Sequence, residues 1–192
     1  MINLINITKT YGDKTLFKNF TATFPPGVTT IMAPSGRGKT TLANIITGLV
    51  TPDEGQVVGT AGKNISYVFQ DDRLLEREDA LTNLLFVVKN NDIIKATRLL
   101  EAAGLKDSLN KKVDQLSGGM KRRVALCRGL MPAFDILILD EPFKGLDSKI
   151  KPKIMDLVKK EARGKVVIFI THDIIEATYM KENSKGDICL KI

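Results

Sequence analysis

Apolar and polar positions alternate through the first 24 residues, in INLINIT and again in FTATF, where Phe20, Ala22 and Phe24 share one face. A period of two is the mark of a half-buried strand, so this region predicts two strands. Pro25, Pro26 and Gly27 predict a turn. VTTIMA then reads as a buried strand, and TTLANIITGL has helical spacing that ends at Gly48, with Pro52 just beyond. From Asp72 to Gln115 the pattern changes to two or three amphipathic helical stretches, such as Ile93, Ala96, Leu100 and Ala103, which predicts a helical insertion. Beyond it, Ile136 to Asp140, Ser148 to Ala162 and Val166 to Thr171 read as buried strand, helix and buried strand. That alternation predicts an α/β core with a largely parallel sheet.

Between the third predicted strand and the first predicted helix lies APSGRGKTT, Ala33 to Thr41. The phosphate-loop pattern is Gly, four residues, then Gly-Lys-Ser/Thr, and strand and helix flank it as that pattern requires. Gly36 and Gly38 supply a permissive backbone, Lys39 can reach outer phosphates, and Thr40 can offer its hydroxyl to Mg²⁺. The helix that opens at about Thr40 turns its positive end to the same anion. Ala33 departs from the pattern, since Gly is usual there. An Ala is costly only where the backbone must be left-handed, by about 1–2 kcal/mol.

ILILDEP places Asp140 and Glu141 at the C-terminal end of a buried strand, the edge where open α/β sheets bind ligands. One carboxylate can hold Mg²⁺ and the next can polarise an attacking water. A third element, LSGGM from Leu116 to Met120, runs into the helical KRRVALCRGL. Ser117, Gly118 and Gly119 there offer a hydroxyl and backbone N–H groups at a helix start, a second anion site.

With these three elements in order, the chain resembles the ATP-binding cassette (ABC) ATPases along essentially its whole length. The resemblance implies a P-loop NTPase (RecA-like) α/β core of ABC ATPase type, with an N-terminal antiparallel β subdomain and the helical insertion. It implies one domain over residues 1–192, its core at about 1–71 and 116–192 and its helical subdomain at about 72–115. ATP and Mg²⁺ are the implied cofactors. Tyr11 matches the aromatic residue that stacks on adenine, and Pro34, Ser35, Gly36, Arg37, Gly38, Lys39, Thr40 and Thr41 match the phosphate loop. Thr40, Gln70 and Asp140 match the Mg²⁺ ligands. Glu141 matches the general base, Gln70 the residue that contacts the attacking water, and His172 the switch histidine at the γ-phosphate. Gly145 to Asp147 resembles the loop that crosses the dimer interface. The implied partners are transmembrane permease subunits, a second copy closing head-to-tail over ATP, and a solute-binding protein in the same system.

VFQDDRLL resembles the ATPases of nitrate, sulfonate, taurine and thiamine-precursor importers, although Glu76 and Arg77 stand where those relatives tend to have Pro-Trp. Composition trims the alternatives. A charge of +7 with 43% hydrophobic residues fits a globular chain with lysines spread over solvated faces. The densest basic run, Lys121 to Arg123, has no interleaved aromatic residue, so no specific nucleic-acid partner is expected. A nucleic-acid-maintenance ATPase on the same cassette would bring long coiled coils or zinc sites, and the insertion has neither heptads nor a cysteine cluster. A non-catalytic ATP-binding subunit fits poorly with both Glu141 and His172. No apolar run approaches the ~20 residues of a membrane span, no signal-peptide pattern opens the chain, and Cys127 and Cys189 form no CxxC pair. The expected location is cytoplasmic, peripheral on the inner face of the cell membrane. In LLEREDALTNLLFVV, Leu74, Leu75, Leu81, Leu84, Leu85 and Phe86 exceed what a small subdomain needs, and about half are expected to receive a helix of the permease.

Overall fold

The first 24 residues form a long hairpin of β1 (Ile2–Tyr11) and β2 (Lys14–Phe24), antiparallel from Ile2↔Phe24 to Tyr11↔Lys14. This computed structural model describes residues 1–34 and 36–181, so Ser35 and Cys189 lie outside the described residues. The predicted face of β2 holds: Ala22 and Phe24 are buried and Phe20 is half-buried. After the turn come β3 (Gly27–Ile31), α1 (Lys39–Ile46) and β4 (Glu54–Val58). Chain packing divides the molecule into two compact units. The first comprises Met1–Ile65, Phe134–Asp140 and the described residues from Gly164 on; the second comprises Ser66–Ala133 and Glu141–Arg163.

In the first unit β4 pairs with the far side of β1, giving an antiparallel sheet of order β2-β1-β4. The sequence pattern does not announce β4, because four of its five residues are exposed. Its position is fixed by neighbours instead. The Asp53 carboxylate accepts hydrogen bonds of 2.7 Å from Lys9 Nζ and from the Thr10 backbone N–H. Those bonds hold the Asp53 carboxyl below the usual carboxylate range. Gly55, at φ 87°, runs so close to β1 that a Cβ there would lie 2.4 Å from the Asn6 carbonyl oxygen.

The core of this unit is the parallel set β3, β6 (Ile136–Asp140) and β7 (Val166–Ile170), with β7 paired to both others. Every residue of β6 and β7 is buried. Side chains of this kind each contribute about 1.5–3 kcal/mol when removed from water. Runs without alternation are what a sheet buried on both faces requires. α6 (Ile174–Lys181) follows β7 in the same unit.

β5 (Ile65–Val68) carries the chain out of the first unit into the second, where α2 (Ala80–Leu85), α3 (Ile93–Ala102), α4 (Gly118–Leu130) and α5 (Lys151–Glu161) lie. The stretch predicted as helical thus contains α2, α3 and two short 3₁₀ turns. Asp79 and Asp92 cap α2 and α3 by accepting from the Thr82 and Lys95 N–H groups. Such caps are worth about 0.5–2 kcal/mol each. Asn83 is fully buried and satisfied: its Oδ1 accepts from Leu75 N–H, and its Nδ2 donates to the Leu75 and Asp79 carbonyls. Arg98 on α3 forks onto Glu161 on α5 at 2.8 and 3.1 Å.

α4 packs deep in the second unit. Burial pushes the Cys127 thiol up to about 12, so it stays protonated and packs as a small apolar group. A Cβ added at Gly129 would lie 2.4 Å from Val68 Cγ2. Gly129→Ala is therefore expected to destabilise the fold by about 1–3 kcal/mol through overpacking. Thermal unfolding checks this, and Val68→Ala in the same chain should restore most of the loss. A single mutant as stable as wild type would show that the backbone of α4 can move away.

Candidate active site

The parallel pairing sets three chain exits at one level. Ile31, the last residue of β3, lies opposite Ile170 of β7, which lies opposite Asp140 of β6. The Gly-rich loop, the turn carrying His172 and the carboxylate of Asp140 therefore leave the same edge of the sheet.

Along the loop, Gly36 has φ 76° and Gly38 has φ 90°, both left-handed. Gly38 is also the N-cap of α1, and a Cβ there would meet Phe17 Cζ at 2.8 Å. Among the described residues, the non-glycine positions with positive φ are Asn6, Asn19, Arg73, Asn91 and Glu141. Ala33 is not one of them, so the departure from the usual Gly carries no left-handed strain. What Ala33 contributes is its carbonyl, which accepts from Lys39 Nζ at 2.6 Å, while Pro34 O accepts from the same ammonium at 3.1 Å. Lys39 is thus held inside the loop it serves. Pro34 and Arg37 are exposed and Thr41 is half-buried on α1; Ser35 lies outside the described residues.

Thr40 Oγ1 donates to Asp140 Oδ2 at 2.7 Å, joining residues a hundred positions apart. Asp140 itself is 2% exposed. A hydroxyl and a carboxylate oxygen at this separation are the hard donors that Mg²⁺ takes, so the residues present fit that ion.

The hairpin reaches the same loop. Lys14 Nζ donates to the Gly36 carbonyl at 3.3 Å, and Tyr11, paired with Lys14, has a half-exposed ring with Lys9 Nζ 5.3 Å from its centroid. His172 is exposed in the turn between β7 and α6. That turn is pinned from both sides: Thr171 Oγ1 accepts from Asp173 N–H and donates to the buried Glu176 carboxylate, and Asp173 Oδ1 accepts from the Ile175 and Glu176 N–H groups.

The second unit holds the other matched residues. Gln70 is exposed just after β5, and Glu141 is half-buried with φ 49°. A left-handed non-glycine residue persists only where its surroundings over-determine it. Ser117 is the N-cap of α4, its Oγ accepting from Met120 N–H at 3.3 Å. Gly118 opens α4, and a Cβ there would meet nothing within 4 Å; at Gly119 one would lie 3.5 Å from the Gly145 carbonyl oxygen, an ordinary contact. Their glycine character is thus not demanded by packing, although Gly costs about 1 kcal/mol in a helix.

One residue was missed from sequence. Arg122, read only as part of a basic run, is 4% exposed, and its guanidinium donates to acceptors of the second unit. Its signal was positional: Arg122 shares a helix face with Leu126 and Leu130, which are buried too.

A Gly-rich loop between a buried parallel strand and a helix, with a lysine inside it and an acidic strand end beside it, defines the phosphate-loop class of nucleotide-binding folds. The family model described as ABC transporter matches residues 17–144, and the chain belongs to that family. It is 34% identical to the taurine import ATP-binding protein of Escherichia coli O157:H7, over 94% of this chain and 76% of that protein. It is 32% identical to an aliphatic sulfonates import ATP-binding protein of Paracoccus denitrificans, over 92% of this chain and 74% of that one. The spermidine/putrescine import ATP-binding protein of Fusobacterium nucleatum is also 32% identical over 92% of this chain, which spans about half, 52%, of that relative. In structure, the chain matches the dimeric ATP-binding cassette MJ0796 bound to ADP and Pi in a post-hydrolysis state. The TM-score is 0.86 at 32% identity, with 100% of this chain and 96% of that one covered.

Gly38→Ala tests whether the loop backbone is what holds phosphate. Both the left-handed φ and the Phe17 contact oppose a Cβ, so affinity for a fluorescent ATP analogue should fall about tenfold or more with the fold retained. Unchanged affinity would place the phosphates elsewhere.

Proposed function

We propose that this chain is the ATP-hydrolysing subunit of an ABC importer, in which two copies close over ATP and drive a membrane partner between states. The observation that carries the reading is the Thr40–Asp140 hydrogen bond beside the lysine-filled loop, since it brings a phosphate cradle and an acidic strand end to one place. The family to which the chain belongs, and the import proteins it is similar to, support it.

In this reading Tyr11 stacks on adenine, and residues 34–41 form the loop around the phosphates, with backbone N–H groups other than that of Pro34, which has none, turned to them. Lys39 exchanges its two loop carbonyls for outer phosphate oxygens, a charge-assisted contact. Thr40 and Asp140, with Gln70, would hold Mg²⁺, which when bound neutralises charge on the β- and γ-phosphate oxygens. Gln70 orients the attacking water, Glu141 accepts its proton, and His172 contacts the γ-phosphate. Ser117, Gly118 and Gly119 of one copy close over ATP on the loop of the other, which gives a reason for two helix glycines that packing does not require. Residues 145–147 follow the dimer interface.

The permease and a solute-binding protein are the proposed partners, and the inner membrane face the proposed location. Among the described residues no helix is long and apolar enough to cross a membrane. Of the six apolar residues predicted in excess, Leu84 is fully buried, while Leu74, Leu75, Leu81 and Leu85 are half-buried. Phe86 is 71% exposed, beside the exposed Val87, and Ile93 and Ile94 are exposed on α3. This apolar surface on the second unit is where a short permease helix is proposed to dock.

Glu141→Gln tests the reading, because an amide cannot take up the proton that the carboxylate accepts. Hydrolysis should fall by about 10²–10⁴-fold with ATP affinity kept. With ATP and Mg²⁺ the variant should run as a dimer in size-exclusion chromatography. Wild-type hydrolysis in this variant would remove Glu141 from the role of base.

A further inference from the structure

Arg122, on the first turns of α4, sends its guanidinium to acceptors on two loops. Nη1 donates to the carbonyls of Phe69 and Gln70 at 2.8 and 3.1 Å and to Asp72 Oδ1 at 2.9 Å. Nη2 donates to the Glu141 carbonyl at 2.9 Å, and Nε to the Pro142 carbonyl at 2.8 Å. All six residues belong to the second unit, so one rigid, planar group spans two loops of that unit and the helix that opens at the LSGGM segment.

We propose that Arg122 is a positioning residue for hydrolysis, setting the backbone of Gln70 against that of Glu141. The proposal rests on the roles given above to those two side chains. Three observations point to it. The first is where the donors end: the carbonyl of the water-orienting residue, the carbonyl of the base, and the residues directly beside each. The second is the φ of 49° at Glu141. Such a conformation is kept only by restraint. Here Arg122 holds the carbonyls of Glu141 and Pro142, while the Lys144 N–H also donates to the Glu141 carbonyl at 3.3 Å. The third is redundancy at the Gln70 turn. Arg73, also left-handed at φ 48°, has its carbonyl bound by Arg128 of α4 at 2.8 Å, and Arg128 also holds the Asp72 carbonyl at 2.8 Å. Asp72 balances the buried guanidinium, so the clamp needs no bulk water. The phosphate contacts proposed above belong to the Gly-rich loop, Lys39, Thr40 and Asp140, so the Kd for ATP separates positioning from binding. Small errors in the placement of a catalytic group cost rate far more than they cost binding.

The test compares wild type with Arg122→Gln and Arg122→Lys in the full chain. It reads kcat, the Kd for ATP, thermal stability, and amide hydrogen exchange over residues 69–73 and 141–146. Arg122→Gln should lower kcat at least tenfold and leave the Kd within about twofold, while exchange rises in both segments together. Arg122→Lys keeps the charge but not the fork, so its kcat should fall between the two. It also keeps the test alive if the glutamine variant does not fold. Unchanged kcat in both variants would overturn the proposal, as would a kcat that falls only in step with ATP affinity and melting temperature. Exchange that rises in one segment alone would overturn the clamp whatever the rates. Glu141→Gln serves as the control that separates the two readings: full hydrolysis there would sink the site assignment, and the exchange data would still judge the clamp.

Discussion

The register of the parallel sheet is the constraint on which the first unit depends. Because β7 pairs with both β3 and β6 without a slip, Ile31, Ile170 and Asp140 end at one level. A one-residue slip would turn every side chain of a strand to the opposite face. Asp140 would then point away from Thr40, and the 2.7 Å bond between them could not form. Apolar runs buried on both faces hold that register, so the chemistry at the sheet edge rests on the burial behind it.

The second unit solves a different problem. Its loops around Gln70 and Glu141 start just beyond strand ends, and both carry left-handed non-glycine residues, at Arg73 and Glu141. α4 supplies the restraint through arginines whose guanidinia end on backbone carbonyls. Arg122 and Arg128 hold the Gln70 turn, Arg122 holds the Glu141 segment, and Arg123 holds the carbonyls of Ala103 and Gly104. Each buried carbonyl left without its donor would cost about 1–3 kcal/mol. Charge that looks like surface in the sequence is therefore internal scaffolding.

Much of this architecture is legible in the amino-acid pattern alone. Periodicity predicts the two N-terminal strands, the buried strands and the helical stretch, because apolar faces must be buried at the period of their element. The phosphate loop and the acidic strand end are local motifs, and their juxtaposition follows from parallel pairing. Three features are not legible there. β4 is exposed and has no pattern of its own; Asp53 and the close passage of Gly55 place it. The conformation at Ala33, on which the departure from the loop pattern turns, is a backbone angle that no side-chain identity reports. Arg122 has no local signature beyond its helix face, since acceptors of its guanidinium come from segments some twenty and fifty residues away.

The central claim is that the sheet edge builds one site for a metal-bound nucleotide from Thr40 and Asp140. A double-mutant cycle measures this directly. Mn²⁺ affinity would be read by electron paramagnetic resonance in the presence of a non-hydrolysable ATP analogue, for wild type, Thr40→Val, Asp140→Asn and the pair. If both residues serve one ion, their effects are coupled, and the double variant should bind within about twofold of the weaker single variant. Losses that simply multiply would mean that Thr40 and Asp140 act independently, and the account of the site would be wrong.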